Sequence, residues 1–328
     1  MAQLLPPQGF RDSLPSETSQ RIELLYKLYQ LYDEHGFNTV ETPMLEPYGL
    51  LQVQEGSFDS RVAMKLVSQD GSVLVVRPDS TLPVLRLASL YYADSPLPIR
   101  LSYQQKILRT ASVGSYSRAE QTQAGVELIG GSSREEDAEV LLLAITSLEA
   151  LNINDPQIDI GHVGFFNGLM EEAGLTEAQT EKLRQMVEKK DALAIELALS
   201  EYKRESLRET ITRLPMLFGG KEVIDEAYEM SAYPPCRAAL DHLKDLIGIL
   251  GKHGKGGNVT FDLGMVQSID YYTGIVFNGI TANCAHPLLS GGRYDTLPKA
   301  FCMNRGAVGF AIYMDNVQEA LRKGGSCV

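Results

Sequence analysis

Two polar side chains stand four residues apart in a partly alternating, β-branched stretch, residues 123–129. Because side chains separated by an even number of residues point to the same face of a strand, Gln123 and Glu127 share one face. An amide and a carboxylate on one strand face indicate a lined pocket. We expect such residues to bind a ligand.

Metal and disulfide chemistry are not expected. The cysteines are widely scattered, with no C-x-x-C pair and no histidine at metal-ligand spacing: Cys236, Cys284, Cys302 and Cys327. The sequence therefore predicts a reduced protein with no structural zinc and no cofactor.

The composition is that of an ordinary globular protein. The 328 residues are 44% hydrophobic, which is enough for a substantial core in one large domain or two modest ones. Thirty basic residues against 42 acidic ones give a net charge of -12, which argues against tRNA as a partner. No apolar run approaches the roughly 18 residues of a membrane span, and no signal peptide opens the chain. We expect a cytoplasmic protein with no membrane contact.

Apolar residues at helical spacing predict an amphipathic helix over residues 16–35, on a stripe formed by Ile22, Leu25, Leu28, Tyr29 and Tyr32. Ser16 is the expected N-cap, and Gly36 follows the helix end. Residues 37–46 are typical of a strand interrupted by Pro43. Since proline cannot donate to a ladder, this strand is expected at a sheet edge or an interface.

The remaining pattern predicts a core that is divided along the chain. Further strands are expected at residues 73–77, 98–109, 123–129, 259–263 and 274–277. Ser133 and the acids after it predict the start of a buried helix that runs to residue 151. Gly291 and Gly292 predict a turn with positive φ, and residues 306–321 a strand that enters a closing helix.

Residues 161–257 differ from the rest of the chain. They are rich in Glu, Lys, Ala and Leu and are broken by prolines and glycines, which is typical of several helices. We interpret them as a helical insertion in a core formed by residues 1–160 and 258–328.

Four segments, in this order, resemble the class II fold of histidyl-tRNA synthetase. They are residues 36–46, similar to the dimer-forming first motif; residues 77–81 with Arg109 and residues 123–130, similar to the second motif; residues 270–277, similar to the tyrosine-bearing histidine segment; and residues 291–295 with 306–312, similar to the glycine-rich turn and third motif. The resemblance implies an α+β fold, an antiparallel sheet flanked by helices. We expect no anticodon-binding domain after the third-motif helix, and therefore no intact synthetase.

The departures from the family pattern fall on the ATP side of the site. Gln267 replaces an arginine that stabilises charge on the α-phosphate, and Asn316 replaces the ATP-clamping arginine. Tyr313 stands where the family has glycine, and Ala111 where it has glutamate. Arg118 is either a retained phosphate contact or a surface residue. Because losing one such electrostatic donor costs about 100- to 1000-fold in rate, we expect no aminoacyl-adenylate formation.

The amino-acid side is largely retained, and the resemblance assigns it to free histidine: the amino group to Asp79 and Thr81, the carboxylate to Arg109 and Gln123, and the imidazole to Glu127, Tyr271 and Tyr272. A carboxylate beside an imidazole favours its protonated form. Asp79 is one methylene shorter than the family's usual glutamate. The alternative is a buried polar network that specifies the core and binds nothing.

Residues 159–162 and 217–223 are similar to a paralogous family, the regulatory subunits of ATP phosphoribosyltransferase. This resemblance implies a non-catalytic chain that partners the short-form catalytic subunit, with four chains of each, in the first step of histidine biosynthesis. It also implies that this chain is required for the activity of the catalytic subunit and for feedback inhibition by histidine. The first-motif resemblance implies a self-dimer through the strand near Pro43.

Two alternatives stay open from the sequence. One is a free-standing ligase that attaches an amino acid to something other than tRNA, and the other is a nutrient-sensing module unrelated to the transferase. A ligase would need an ATP site. His162 is expected to be a structural or interface histidine, and Asp270 to cap or position its strand.

Overall fold

A computed structural model describes residues 5–53, 61–110, 118–131, 134–266 and 271–324. Its main element is a nine-stranded sheet with the strand order β1-β5-β6-β12-β11-β10-β7-β9-β8. The strands are β1 (Asn38–Thr39), β5 (Ile99–Leu108), β6 (Glu120–Ile129), β7 (Gln157–His162), β8 (Phe218–Gly219), β9 (Val259–Asp262), β10 (Ile275–Thr281), β11 (Cys284–Arg293) and β12 (Ala307–Tyr313). The pairs β1–β5 and β7–β9 are parallel, and the other pairs are antiparallel. The predicted α+β architecture is confirmed, and the main sheet is antiparallel except at these two parallel pairs.

A smaller sheet of three antiparallel strands has the order β2-β4-β3, formed by β2 (Leu45–Pro47), β3 (Lys65–Val67) and β4 (Val73–Val76). The single strand predicted over residues 37–46 is therefore wrong. It divides into β1 and β2, which belong to different sheets, with Pro43 between them. Because proline lacks an N–H, the ladder cannot continue through it.

The described helices are α1 (Pro15–Glu34), α2 (Thr81–Tyr91), α3 (Arg134–Ala150), α4 (Val163–Ala173), α5 (Glu177–Glu188), α6 (Ala192–Ala198), α7 (Glu205–Arg213), α8 (Glu222–Met230), α9 (Pro234–Lys252) and α10 (Met314–Gly324). Short 3-10 helices lie at Tyr48–Gln52, Leu214–Met216, Gly256–Asn258 and Leu297–Phe301. In the described part of the chain, no helix combines the length and the apolar character that a bilayer crossing requires.

Helix α1 begins one residue earlier than predicted. Pro15 occupies its first turn and Leu14 precedes it, so Ser16 lies inside the helix and does not cap it. The buried stripe is Leu24, Leu28 and Tyr32, at a spacing of four. The predicted stripe is therefore rotated from the true one: Leu28 and Tyr32 belong to both, while the predicted Ile22 and Tyr29 are exposed.

Two buried clusters form the core. The larger contains side chains of α1, α3, α4 and α9 with the main-sheet strands, so the helices between residues 163 and 252 share one apolar interior with the sheet. The smaller joins α2 to β5 and includes Tyr271 and Tyr294. This second cluster supports the side chains that line the candidate site.

Gly291 and Gly292 lie inside β11 and not in a turn, so that prediction is wrong. Neither has a positive φ. A Cβ at Gly291 would come within 2.5 Å of the Gly309 carbonyl oxygen, and one at Gly292 within 2.6 Å of the Tyr272 ring. Glycine is needed at both positions because the neighbouring strand and ring approach too closely for a side chain.

Candidate functional site

The candidate site lies on strand β6 and its neighbour β12. Glu127 pairs with Gly309 and Gln123 pairs with Tyr313 across these antiparallel strands. The two pairs are four residues apart, which corresponds to roughly 13 Å along the strands. The site therefore has a Glu127 end and a Gln123 end, which are fixed by strand register.

Helix α2 presents its first turn to β6. The Asp79 carboxylate accepts hydrogen bonds from the backbone N–H of Thr81 at 2.7 Å and of Leu82 at 3.4 Å, so Asp79 caps the helix. Thr81 then places its hydroxyl 2.8 Å from Glu127 Oε1. Ser80 donates to Gln123 Oε1 at 2.9 Å. The start of α2 is thus bound to both polar residues of β6.

The seven side chains expected around a bound histidine line one small cavity of about 50 Å³, together with Ser290, Tyr294, Gly309, Phe310, Ala311 and Tyr313. This space is smaller than the roughly 300 to 1,000 Å³ that is usual for ligand pockets. A ligand must therefore be small, and the lining side chains must shift to admit it. The role of each residue toward a ligand stays a prediction.

Glu127 is the most deeply buried ionisable group of this cavity, with 1% of its surface exposed. Thr81 and Tyr294 donate hydrogen bonds to its two carboxylate oxygens. Burial nevertheless raises the pKa of Glu127 to about 8, because desolvation penalises the charged form more than these bonds favour it. At neutral pH the carboxyl is largely protonated, and a cationic ligand would favour its ionised form.

Three tyrosine rings pack against one another beside Glu127. The ring centroids of Tyr271 and Tyr272 are 4.8 Å apart, and those of Tyr271 and Tyr294 are 5.6 Å apart at 78°. Burial raises the pKa of each hydroxyl well above its ordinary value. All three stay neutral, so they provide aromatic faces and hydrogen bonds without charge.

The Gln123 end carries the positive charge of the cavity. Arg109 donates from Nε to the Pro78 carbonyl at 2.8 Å, and its Nη2 lies 3.6 Å from Asp79 Oδ2. About a third of the Arg109 side chain is exposed. A guanidinium held in this way can contact a ligand carboxylate at the Gln123 end.

A second cavity of about 300 Å³ adjoins this end, lined by Arg109, Arg118, Gln121, His286, Pro287, Ser290, Tyr313, Asn316 and Glu319. Tyr313 and Ser290 hydroxyls are 3.1 Å apart between the two cavities. Asn316 donates to the Pro287 carbonyl at 2.7 Å. Tyr313 and Asn316, the two departures from the third motif, are therefore both bonded to residues of β11.

Arg118 fits neither of the two predicted descriptions fully. Its guanidinium bonds to Asp315 Oδ1 at 2.6 Å, and about a quarter of its side chain is exposed. Asp315 also accepts from the backbone of Thr122 at 3.1 Å and lies 3.5 Å from Arg21. Arg118 thus ties the residues just before β6 to α10. The predicted positions Ala111, Ser133, Gln267 and Asp270 lie outside the described residues.

Five further residues that line the cavity received no role from the sequence: Ser290, Tyr294, Gly309, Phe310 and Ala311. Tyr294 belonged to the quoted glycine-rich motif but received no role, although it shares a strand face with Ser290 through alternation. Gly309 faces Glu127 across the ladder, and a Cβ there would overlap the Glu127 carboxylate. Only the register of β6 with β12, which is not visible in one sequence, reveals this requirement.

A buried polar chain runs behind the cavity. Arg293 binds Asp137 through Nε at 2.8 Å and Nη2 at 2.6 Å, and His242 Nε2 lies 3.0 Å from the other Asp137 oxygen. His242 in turn contacts His162 at 3.2 Å. Burial and the neighbouring His242 lower the pKa of His162 to about 3, so it is neutral. These contacts support the prediction of a structural histidine.

Metal ligation has no support in the described part of the chain. No group of three or more His, Cys, Asp or Glu side chains there could hold a metal ion. Three of the cysteines are described, and all three are free thiols.

Comparisons with known proteins agree on one family. A family model for histidyl-tRNA synthetase matches residues 9–317. A protein of Acetivibrio thermocellus, the ATP phosphoribosyltransferase regulatory subunit, is 39% identical over 96% of this chain and 76% of its own length. The class II synthetase-like fold predicted from sequence is confirmed by these matches and by two solved structures.

One solved structure, from Bacillus halodurans, is described as an ATP phosphoribosyltransferase regulatory subunit/histidyl-tRNA synthetase. It superposes with a TM-score of 0.90 at 32% identity and covers 97% of this chain and 83% of that one. A histidyl-tRNA synthetase from Nostoc shares the fold, with a TM-score of 0.82 at 21% identity and coverage of 98% and 76%. This chain belongs to the histidyl-tRNA synthetase-like family that contains the ATP phosphoribosyltransferase regulatory subunits.

Proposed function

We propose that this chain is the regulatory subunit of an ATP phosphoribosyltransferase and that it binds free histidine in the cavity on β6. The observation that carries the proposal is the convergence of Asp79, Thr81, Arg109, Gln123, Glu127, Tyr271 and Tyr272 on one cavity. An imidazole finds a carboxyl and aromatic faces at one end, and a carboxylate finds a guanidinium at the other. Its relatives are described as regulatory subunits of ATP phosphoribosyltransferase, which indicates the enzyme that histidine binding would regulate.

The chain itself is proposed to be non-catalytic. Tyr313 and Asn316 occupy two third-motif positions that contact ATP in the synthetase family. The Tyr313 hydroxyl is bonded to Ser290 and the Asn316 amide to the Pro287 carbonyl, and both partners lie in β11. Neither Tyr313 nor Asn316 provides positive charge for a phosphate. Gln267 adds a third loss in the sequence. These departures argue against the alternative of a free-standing amino-acid ligase.

The proposed partner is the short-form catalytic subunit, with four chains of each kind. A subunit without its own chemistry can act on an enzyme only through contact and through a difference in histidine affinity between the active and inhibited arrangements. A coupling of about 1 to 3 kcal/mol would change activity roughly 5- to 150-fold. Neither tRNA nor a metal has a place in this scheme.

A self-dimer through the first motif is part of the proposal. The three-stranded sheet next to Pro43 exposes several apolar side chains: Met44, Leu45, Leu66, Val67 and Val73. Leu45 and Leu66 lie on one face of this sheet and Val67 and Val73 on the other, so both faces carry exposed apolar side chains of the kind that protein interfaces cover. We also keep residues 161–257 as a proposed helical insertion between the two parts of the core.

The test combines binding with activity. The chain is co-expressed with the short catalytic subunit, and the complex is examined by size-exclusion chromatography with light scattering and assayed for ATP phosphoribosyltransferase activity with and without histidine. We expect co-elution, activity that requires this chain, and inhibition by histidine. A catalytic subunit that is fully active alone, or no co-elution at micromolar concentration, would contradict the assignment.

A competing explanation is that the polar residues of the cavity specify the core and bind nothing. Asp79 and Gln123 already accept hydrogen bonds from the start of α2, and Thr81 already donates one to Glu127. A polar network of this kind can stabilise a core without binding a ligand. Calorimetric titration of the isolated chain with L-histidine distinguishes the two. A saturable heat supports the binding proposal, and its absence in both the isolated chain and the complex favours the structural explanation.

A further inference from the structure

Tyr313 separates the histidine cavity from the larger cavity beside it. Of the described residues, three line both spaces, namely Arg109, Ser290 and Tyr313. Arg109 approaches from the end of β5, whereas Ser290 and Tyr313 come from the neighbouring strands β11 and β12. The 3.1 Å contact between their hydroxyls joins these two strands across the boundary.

The boundary stands at one defined end of the cavity. Tyr313 pairs in register with Gln123, while Gly309 pairs with Glu127 at the opposite end. A ligand with its ring against Glu127 therefore directs its carboxylate toward Gln123, Arg109 and the Tyr313 ring. Any group attached to that carboxylate would have to pass Tyr313 to reach the 300 Å³ cavity.

We propose that Tyr313 is the specificity-determining end wall of the pocket. It admits an amino acid with a free carboxylate and rejects derivatives that are extended at that carboxylate by an amide or ester linkage. The inference rests on the proposed binding of histidine. Its physical basis is steric: a rigid aromatic ring, anchored by Ser290, occupies the path of the extension, and a clash discriminates against the larger ligand.

The same ring offers a polar contact to the ligand it admits. The Tyr313 ring lines the end of the cavity that Arg109 also lines, and there its hydroxyl can hydrogen-bond the free carboxylate of a ligand. The family's glycine at this position has no side chain, so it would leave the two cavities joined. The single replacement of glycine by Tyr313 thus restricts the pocket to an amino acid whose carboxylate is free.

The test is calorimetry with two probes, L-histidine and the dipeptide histidyl-glycine, which keeps the amino group, the imidazole and a terminal carboxylate. We expect the unmodified chain to bind histidine at least about tenfold more tightly than the dipeptide. Tyr313→Gly should bring the two affinities to within about threefold of each other. Tyr313→Phe should lower the ratio only in part, because the ring stays as the wall but loses the hydroxyl that is bonded to Ser290. Ser290→Ala should lower the ratio in part, because the ring loses its anchor.

The outcomes separate this inference from the proposed function. If the unmodified chain binds both probes equally, or if folded Tyr313→Gly keeps the original ratio, the end wall is overturned and histidine binding stands. If only Tyr313→Gly binds the dipeptide and the unmodified chain binds neither probe, the wall stands and the proposed effector site fails. If no variant binds either probe, both are overturned. Circular dichroism confirms folding, with Tyr313→Ala as a second variant.

Discussion

The two neighbouring cavities of this sheet differ in the side chains that line them. In the smaller one, the buried Glu127 keeps two hydrogen-bond donors, and Tyr271 packs beside it at steep angles against Tyr272 and Tyr294. In the larger one, the positions that the family resemblance assigns to ATP carry Tyr313 and Asn316, whose side chains bond to Ser290 and Pro287 of β11. Strands β11 and β12 contribute side chains to both cavities. Under the proposed function, the fold has lost the site of one reactant and kept that of the other.

The largest expected effect concerns chemistry at the second cavity. We predict that histidine-dependent exchange of pyrophosphate into ATP is more than about 10,000-fold slower than in a synthetase, since each lost electrostatic donor costs about 100- to 1000-fold. Gln267→Arg alone should not restore it, because Asn316 and Tyr313 remain. Exchange at a synthetase-like rate would show that the nucleotide side is intact.

The next effect sharpens the difference between the cavities through paired substitutions. Glu127→Gln and Tyr272→Ala should each weaken histidine binding at least about tenfold, because each removes a contact to the imidazole in a buried site. Asn316→Ala, in the neighbouring cavity, should change it by less than about twofold, as should Leu193→Ala on the exposed face of α6. Calorimetry measures all four. Equal losses for the Glu127 and Asn316 variants would erase the distinction.

The raised pKa of Glu127 predicts how stability depends on pH. Its folded pKa of about 8 exceeds the ordinary 4.5, so the folded state holds the proton more strongly than the unfolded state. The free energy of unfolding therefore decreases as pH rises through this range, by a few kcal/mol. The lowered pKa of His162, about 3, instead costs stability as pH falls below about 6.5, so its effect is small in the window from pH 7 to 8.5. Burial raises the pKa of the Cys236 thiol to about 11, which also lowers stability toward the upper end of this window, so the Glu127 contribution is the difference from a variant that does not titrate at residue 127.

Urea unfolding across this window is the measurement, with Glu127→Gln as the matched control, because glutamine has the same shape and does not titrate. The decrease between pH 7 and 8.5 should be smaller in the variant by the Glu127 contribution. An identical pH profile for the two proteins would mean that Glu127 is already ionised when folded.

The smallest effect concerns the border of the larger cavity. Arg118→Ala removes an ion pair with Asp315 that is about one quarter exposed on the arginine side. We expect a loss of about 1 kcal/mol or less in the free energy of unfolding and no change in histidine affinity. Chemical denaturation with calorimetry tests this. A large loss of histidine binding would instead extend the functional site across Tyr313.

Alternation along the strand predicted Gln123 and Glu127, and the resemblance to the histidyl-tRNA synthetase family supplied the other five predicted residues of the cavity. Gln123 and Glu127 share a face through alternation, and the strand register then brings Gly309 opposite Glu127. That register is a tertiary property, so the need for glycine at 309 could not be predicted. Gly291 and Gly292 were misinterpreted for the same reason, since close approach by other strands explains them.

The errors in the fold have similar causes. Residues 37–46 were predicted as one strand, but Pro43 divides them between two sheets. In α1, Leu24 replaces Ile22 on the buried face because the position of the sheet and α3 decides which side is covered. Local propensity indicates that a helix or strand exists, and only packing determines which face is buried.

The most direct test is a pair of titrations on one preparation of the folded chain, first with L-histidine and then with ATP and Mg²⁺. We expect saturable binding of histidine and no heat from ATP up to about millimolar concentration, which corresponds to a binding free energy weaker than about 4 kcal/mol. Binding of ATP together with an absence of histidine binding would contradict it, because the retained and the lost cavity would then be the reverse of those inferred.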